Sequence, residues 1–134
     1  MNIVRVRHPD ISVYLIPWFV EDGQTAVEVG MELNDRLRQK PDDTCVMLAI
    51  DKGYLKGVLV GYIEQDYLFV WQARKSKDMD RPRLIFHCLC EWSKTRGVKK
   101  ARLVSHDKRI RRLYKRKYGF THIGDGLMEK EYGK

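Results

Sequence analysis

The sequence predicts a single α/β domain over residues 1–134, built on a mixed and mostly antiparallel sheet. Three observations predict it. Strand-like runs at 45–50, 55–63 and 67–73 are joined by links of a few residues, as antiparallel neighbours are. An amphipathic run of helical period then separates the third strand from a fourth, which is the crossover that parallel strands require. Finally, the chain has 134 residues, of which 43% are apolar and 33% charged. That composition argues against disorder, and the length suits one domain that buries roughly two-thirds of its unfolded surface.

The elements follow in order. Ile3, Val4 and Val6 make residues 2–7 a short strand. Asp10 can cap a helix carrying Ile11, Tyr14, Leu15 and Trp18, which Pro17 must kink or end. Gly23-Gln24 breaks the chain. Thr25 and Glu28 have the T-x-x-E spacing of a capping box, and Ala26, Val29, Leu33 and Leu37 follow at helical spacing, so a helix is expected over 26–39. Gly57 and Gly61 inside the second strand of the triplet mark bulges or a close backbone approach. Leu84, Ile85, Cys88, Leu89 and Trp92 form the stripe of a helix packed on a sheet, started by Asp80 and Pro82 and stopped by Gly97. Residues 101–105 are a strand. Asp107 can cap a further helix whose buried face is Ile110, Leu113, Tyr114 and Tyr118, with Gly119 as its end. Two last strands, 120–123 and 127–132, flank Gly124-Asp125-Gly126.

The charge is unevenly spread. The chain carries 26 Lys plus Arg against 18 Asp plus Glu, a net of +8, with a pI near 9.5. Residues 74–117 hold 17 basic and 4 acidic residues, a net of +13, which leaves −5 for the rest. This asymmetry suggests an anionic partner: nucleic acid, a phosphorylated cofactor or an acidic protein, set against a plain solvated surface. Lys108, Arg109, Arg111, Arg112, Lys115, Arg116 and Lys117 place seven cations in ten residues. With no base-reading motif in view, nucleic-acid binding by this helix would be electrostatic. Three cysteines cannot all pair, and Cys88-x-Cys90 lacks metal-ligand spacing, so both are read as structural and no metal is expected. No apolar run approaches the ~18 residues of a membrane helix, and the N-terminus lacks a signal core, so a cytoplasmic protein without a membrane partner is expected.

The element order, together with Glu91-Trp92-Ser93-Lys94-Thr95-Arg96-Gly97-Val98 and Arg112-Leu113-Tyr114-Lys115-Arg116-Lys117-Tyr118-Gly119-Phe120, resembles the GNAT N-acetyltransferase family over about residues 45–132. The second run is one residue longer than its commonest form. The resemblance implies a twisted sheet with helices on both faces and acetyl-CoA as cofactor. The cofactor's pantetheine arm would lie between strands 67–74 and 101–105, along Trp71, Gln72 and Ala73. An amine on a protein or a small molecule would attack the thioester, and Tyr114 would protonate the leaving thiolate; its alternative is a core tyrosine beside Leu113 and Ile110. A tyrosine with an ordinary pKa near ~10 is protonated at neutral pH, as an acid must be. His106 is a candidate base because imidazole changes charge near neutral pH. Glu64 and Asp66, before the third strand of the triplet, are rivals, and His87 is read as a helix-face residue.

The sequence also departs from the family pattern. The phosphate loop falls on Lys77-Asp78-Met79-Asp80-Arg81-Pro82, where Asp80 and Pro82 stand in place of two glycines. A proline removes an N–H donor and a carboxylate repels phosphate. Arg74, Lys77, Arg81 and Arg83 would then hold the phosphates by side-chain charge. Asp107 takes the place of an asparagine in the family pattern and is carried as a cofactor-binding position. Weak, salt-sensitive binding of acetyl-CoA is expected. Two alternatives stand beside the acetyltransferase: a catalytically inactive GNAT-fold binding module, and an electrostatic nucleic-acid binder acting through 108–117. Nothing in the sequence names the acceptor or an oligomeric state.

Overall fold

The protein is described by a computed structural model covering residues 1–22 and 24–133. Its strands are β1 (Asn2–Val6), β2 (Thr44–Asp51), β3 (Tyr54–Glu64), β4 (Tyr67–Lys75), β5 (Lys100–Val104), β6 (Thr121–Gly124) and β7 (Leu127–Glu131). They form one sheet in the order β1-β2-β3-β4-β5-β7-β6. All neighbours are antiparallel except β4 and β5, which run parallel. The expected meander and the single crossover are both present.

The helices are α1 (Ile11–Leu15), α2 (Gln24–Gln39), α3 (Pro82–Thr95) and α4 (Lys108–Leu113). At Pro17, which has no N–H to continue an α-helix, α1 tightens into a 3₁₀ turn over Ile16–Asp22. After Leu113, α4 widens into a π turn over Tyr114–Tyr118. No helix among the described residues is long and apolar enough to cross a membrane.

Helices cover both faces of the sheet. On one face Leu15, Leu33 and Leu37 of α1 and α2 pack on Val46, Leu48, Val58 and Val60. On the other, Ile85, Leu89 and Trp92 of α3 pack on Cys45, Met47, Leu59 and Leu68. This opposition follows from the period-two alternation of β2 and β3, which sends successive apolar side chains to opposite layers. Burial pushes the Cys45 and Cys90 thiols up to about 12, so both remain protonated at neutral pH.

Several expectations are corrected. Tyr14 is 75% exposed and contributes nothing to the core; Ser12 and Leu15 are the buried residues of α1. Asp10 occupies the N-cap position of α1, but in a helical conformation from which its side chain makes no capping bond. Its carboxylate lies instead 3.7 Å from His8 and 3.8 Å from Arg38. The helix expected from residue 26 begins at Gln24, so Thr25 sits inside it and cannot form the capping box. The break expected at Gly23 lies outside the described residues. At α3 the N-cap is Arg81 rather than Asp80, with Pro82 as the first helical residue. The face of α4 expected to be buried is open: Ile110 and Leu113 are 41% and 40% exposed.

Both glycines of β3 answer to close approach. A Cβ on Gly57 would lie 2.7 Å from Met79 Sδ, and one on Gly61 would lie 2.9 Å from Leu68 Cδ1. The β3–β4 register also slips between Val60 and Gly61, which leaves Trp71 as an extra residue on β4. Such a bulge bends its strand and raises its twist.

Candidate active site

The bend in β4 has a direct consequence for its other neighbour. β4 and β5 pair only through Leu68–Ala101 and Phe69–Arg102. Beyond the bulge the two strands diverge, and from Gln72 to Lys75 β4 is paired on its β3 side alone. A parallel strand left unpaired on one side presents free N–H and C=O groups, a template for an extended ligand bearing amides.

A cavity of about 220 Å³ opens at this end of the sheet. Ala73, Arg74 and Lys75 of β4 form one wall, with Met79, Pro82 and Phe86 contributed by the loop and α3. Ile110, Leu113, Tyr114 and Tyr118 close it from α4 and the π turn. Their exposure is thereby explained: this face of α4 lines a cavity and is not packed on strands.

Tyr114 is set in an aromatic cluster, with ring centroids 5.1 Å from Tyr118 and 5.5 Å from Phe120. The extra residue in this run is absorbed by the π turn, in which the Gly119 and Phe120 N–H groups both donate to the Tyr114 carbonyl. Gly119 takes the left-handed conformation, φ 75°, that ends the turn. Burial pushes the Tyr114 hydroxyl up to about 12, with Tyr118 adding to the shift and Arg74 opposing it. Among the described residues its hydroxyl makes no hydrogen bond, so its proton is free to be donated.

Arg74 is half-buried in the same cavity. Its Nη1 donates to the carbonyl of Ala73 at 3.0 Å, folding the side chain back along the open edge of β4. Its Nε is buried without a partner. A buried guanidinium N–H left unsatisfied is costly, so the site suits a polar or anionic ligand.

The loop before α3 is pinned to β3. Ser76 donates its backbone N–H to the Lys56 carbonyl at 2.8 Å, and the Asp78 carboxylate takes Lys56 Nζ at 2.8 Å and Ser76 Oγ at 2.6 Å. These two bonds hold Asp78 down to about 2. Met79 alone turns inward, against Gly57. Asp80 is exposed, Pro82 has no N–H, and Arg81 adopts a left-handed conformation, φ 53°, that a glycine would take without strain. The backbone cradle at the start of α3 is thus poorer in donors than one built on glycines.

The remaining sequence candidates scatter. Gln72 pairs with Val60 within the sheet, and the Trp71 ring lies on the α2 face, 6.0 Å from Tyr62. Lys77 and Arg81 are exposed on the loop, while Arg83 points to the outer side of α4. The Asp107 carboxylate caps α4, accepting the Arg109 N–H at 2.8 Å, and this bond lowers its pKa. His106 is exposed at the end of β5, against Gly126, on the same end of the sheet as the cavity but outside its lining. Glu64 pairs with Tyr67 at the opposite end of β4, and Asp66 beside it binds Lys100 at 3.2 Å. The structure therefore brings together Ala73, Arg74 and Tyr114 and keeps Glu64 and Asp66 away from them. Sequence reading did not assign Met79 and Phe86 to the site. Met79 carried a signal, as the one apolar residue in an otherwise polar and charged loop.

Neither a protein-family model nor a curated protein sequence matches the chain. Solved structures do. PaiA N-acetyltransferase from Thermoplasma acidophilum, in complex with coenzyme A, superposes with a TM-score of 0.74 over 98% of this chain and 100% of that one, at 14% identity. An aminoglycoside 6'-N-acetyltransferase complexed with coenzyme A gives 0.72 over 98% and 97%, at 11% identity. An acetyltransferase of the GNAT family from Staphylococcus aureus gives 0.71 over 97% and 98%, at 12% identity. The chain has the GNAT acetyltransferase fold along nearly its whole length.

Proposed function

We propose that the chain is an acetyl-CoA-dependent N-acetyltransferase acting on an amine acceptor. The observation that carries this reading is the divergence of β4 from β5, with Tyr114 lining the cavity at the point of divergence. The two neighbours solved with coenzyme A share this fold, which supports the same cofactor here.

The residues fit such a group. The free edge of β4 from Trp71 to Ala73 offers backbone donors and acceptors to an amide-bearing arm, and the partnerless Arg74 Nε supplies a buried donor. When bound, acetyl-CoA supplies an acyl carbon activated as a thioester. Tyr114 Oη holds a proton that it hands to a departing sulfur. With its pKa raised, the hydroxyl keeps its proton at neutral pH and is available as a donor, though a weaker acid than an ordinary tyrosine. His106 is the base that the geometry favours over Glu64, since it shares the cavity's end of the sheet; it would take the amine proton through water. Arg74, Lys77 and Arg81 meet the phosphates in place of the missing backbone donors.

Exposed side-chain charges are screened over ~8 Å at physiological ionic strength. Binding is therefore expected to weaken as salt rises. The test is a calorimetric titration with acetyl-CoA, paired with thermal shifts at low and moderate salt. Ligand at 100 times its Kd stabilises the fold by ~2.7 kcal/mol. A complete lack of binding at low salt would end this reading in favour of a GNAT fold kept as a binding module. A salt-independent shift would instead return the phosphates to the backbone of the loop.

A further inference from the structure

A second concavity, of about 510 Å³, lies outside the cavity just described, between the first turn of α3 and the outer side of α4. Arg83, Arg109, Arg112, Arg116, Lys117 and Leu113 line it: five cations, one leucine and no acid. Through Arg83 and Lys117 it continues into a neighbouring hollow of about 250 Å³, where Lys94 and Lys130 add positive charge. The one carboxylate there, Glu91, is already engaged by Lys94 at 2.8 Å.

The cations are concentrated by the local fold. With Ile110, Tyr114 and Tyr118 turned to the cavity, the π turn leaves Arg109, Arg112 and Arg116 together on the opposite side. Like charges at helical spacing repel, so this arrangement destabilises the isolated helix. Several cations of the sheet are answered by carboxylates: Arg102 by Glu129 at 2.7 Å, Lys100 by Asp66 at 3.2 Å, and Lys56 by Asp78 at 2.8 Å. In the trough only Arg109 meets a carboxylate among the described residues. That group is Asp107, at 3.7 Å and already occupied as a helix cap.

We propose that the trough between α3 and α4 binds the sugar–phosphate backbone of a nucleic acid, independently of sequence. Four features favour this occupant. The trough is continuous with the neighbouring hollow through Arg83 and Lys117, which gives a strand a basic path longer than either concavity alone. Four of its five cations are arginines, whose guanidinium forks match phosphate oxygens. Side chains three or four residues apart on a helix stand ~5–6 Å from one another, a spacing able to follow successive phosphates. Between the five cations of the trough itself a single leucine offers a folded protein partner little apolar anchorage. The proposal does not rest on the acetyltransferase reading, because none of the five cations it uses lines the Tyr114 cavity.

The test is fluorescence anisotropy with the full chain and a labelled DNA duplex of about twenty base pairs, between about 50 and about 200 mM salt. With five phosphates neutralised, the slope of log K against log salt should be about −4.5. The double variant R112E/R116E should weaken binding at least ~10-fold and flatten the slope toward about −3. A variant of equal charge on the far face, R7E/R38E, should retain most of the affinity. Should R112E/R116E fail to fold, R112Q/R116Q removes the same contacts without adding acids. Equal losses in the two double variants would reduce the effect to the general attraction of a basic chain and overturn the proposal. Absence of binding at the lower salt would do the same. Displacement of the duplex by coenzyme A but not by its form lacking the 3'-phosphate would assign the trough to that cofactor phosphate. Displacement by an acidic peptide at matched charge would assign it to a protein partner. Either result overturns the nucleic-acid proposal; the first would add the trough to the cofactor site, and acetyl transfer itself is measured separately.

Discussion

Ala26, Leu33 and Leu37 of α2 are sealed against β2 and β3, whereas α4 and the π turn that follows contain no fully buried residue. Both helices have apolar residues at helical spacing, and both lie on the same sheet. They differ in what faces the stripe. α2 meets continuous, fully paired strands, so its stripe closes a core. α4 meets the gap where β4 leaves β5, so its stripe becomes the wall of a cavity. The α2 face holds the molecule together, and α4 is left with a cavity on its inner side and a cation-lined trough on its outer side.

This contrast can be broken experimentally, beginning with the largest effect. Tyr114→Phe removes only a hydroxyl from the open face. It should leave the melting temperature nearly unchanged while lowering kcat/KM about 10²–10⁴-fold. Because the hydroxyl stays protonated up to about 12, no loss of activity below that pH should arise from Tyr114 itself. Unchanged turnover in the variant would return Tyr114 to a packing role.

Leu33→Ala on the sealed face should do the reverse. Loss of a fully buried leucine costs ~2–5 kcal/mol, readable by denaturant unfolding, with catalysis by the folded fraction intact. The same truncation at half-exposed Leu113 should cost less than ~1 kcal/mol and weaken cofactor binding. Equal stability losses at the two leucines would mean that α4 is packed as tightly as α2.

Arg74→Ala sharpens the account of the open face. The side chain occupies the Ala73 carbonyl in this structure, yet is expected to hold phosphate in the complex. Affinity for coenzyme A should fall about tenfold, the scale of one charge-assisted hydrogen bond. Affinity for phosphate-free pantetheine, measured by calorimetry, should hold or rise. A parallel fall for both ligands would show that Arg74 only shapes the cavity.

The smallest effect belongs to Asp107→Ala, which removes the cap of α4. Amide exchange at Arg109 and Ile110 should quicken while global stability barely moves. The Asp107 carboxyl is lowered in the fold by the Arg109 N–H, so its contribution is present above its unfolded pKa. It is lost as pH falls through the folded value, below about pH 4. Exchange that is insensitive to acid in the native protein would exclude this cap as the cause.

Much of this was legible in the sequence. Turn signals, apolar runs and one crossover helix announced the element order and the parallel β4–β5 pair, because those depend on local periodicity and link length. The run around Tyr114 marked the residue that lines the cavity, and the count of cations on 108–117 marked the basic side of α4. Tertiary structure decided the rest. Periodicity reports that Ile110 and Leu113 share a face, but the face is covered or open according to the Trp71 bulge, some forty residues earlier, which bends β4 from β5. Glu64 sat at the turn before predicted β4 and Tyr114 inside a predicted helix, and only the tertiary packing showed that they lie at opposite ends of β4. Arg74 stood at the end of a predicted strand and Met79 was the one apolar residue of a charged loop, and neither position showed which way the side chain turns. The space over Gly57, contributed by β3, draws Met79 inward, and no local pattern encodes a partner so distant in sequence; Arg74 folds back on its neighbour Ala73 because the divergence from β5 leaves that edge of β4 open.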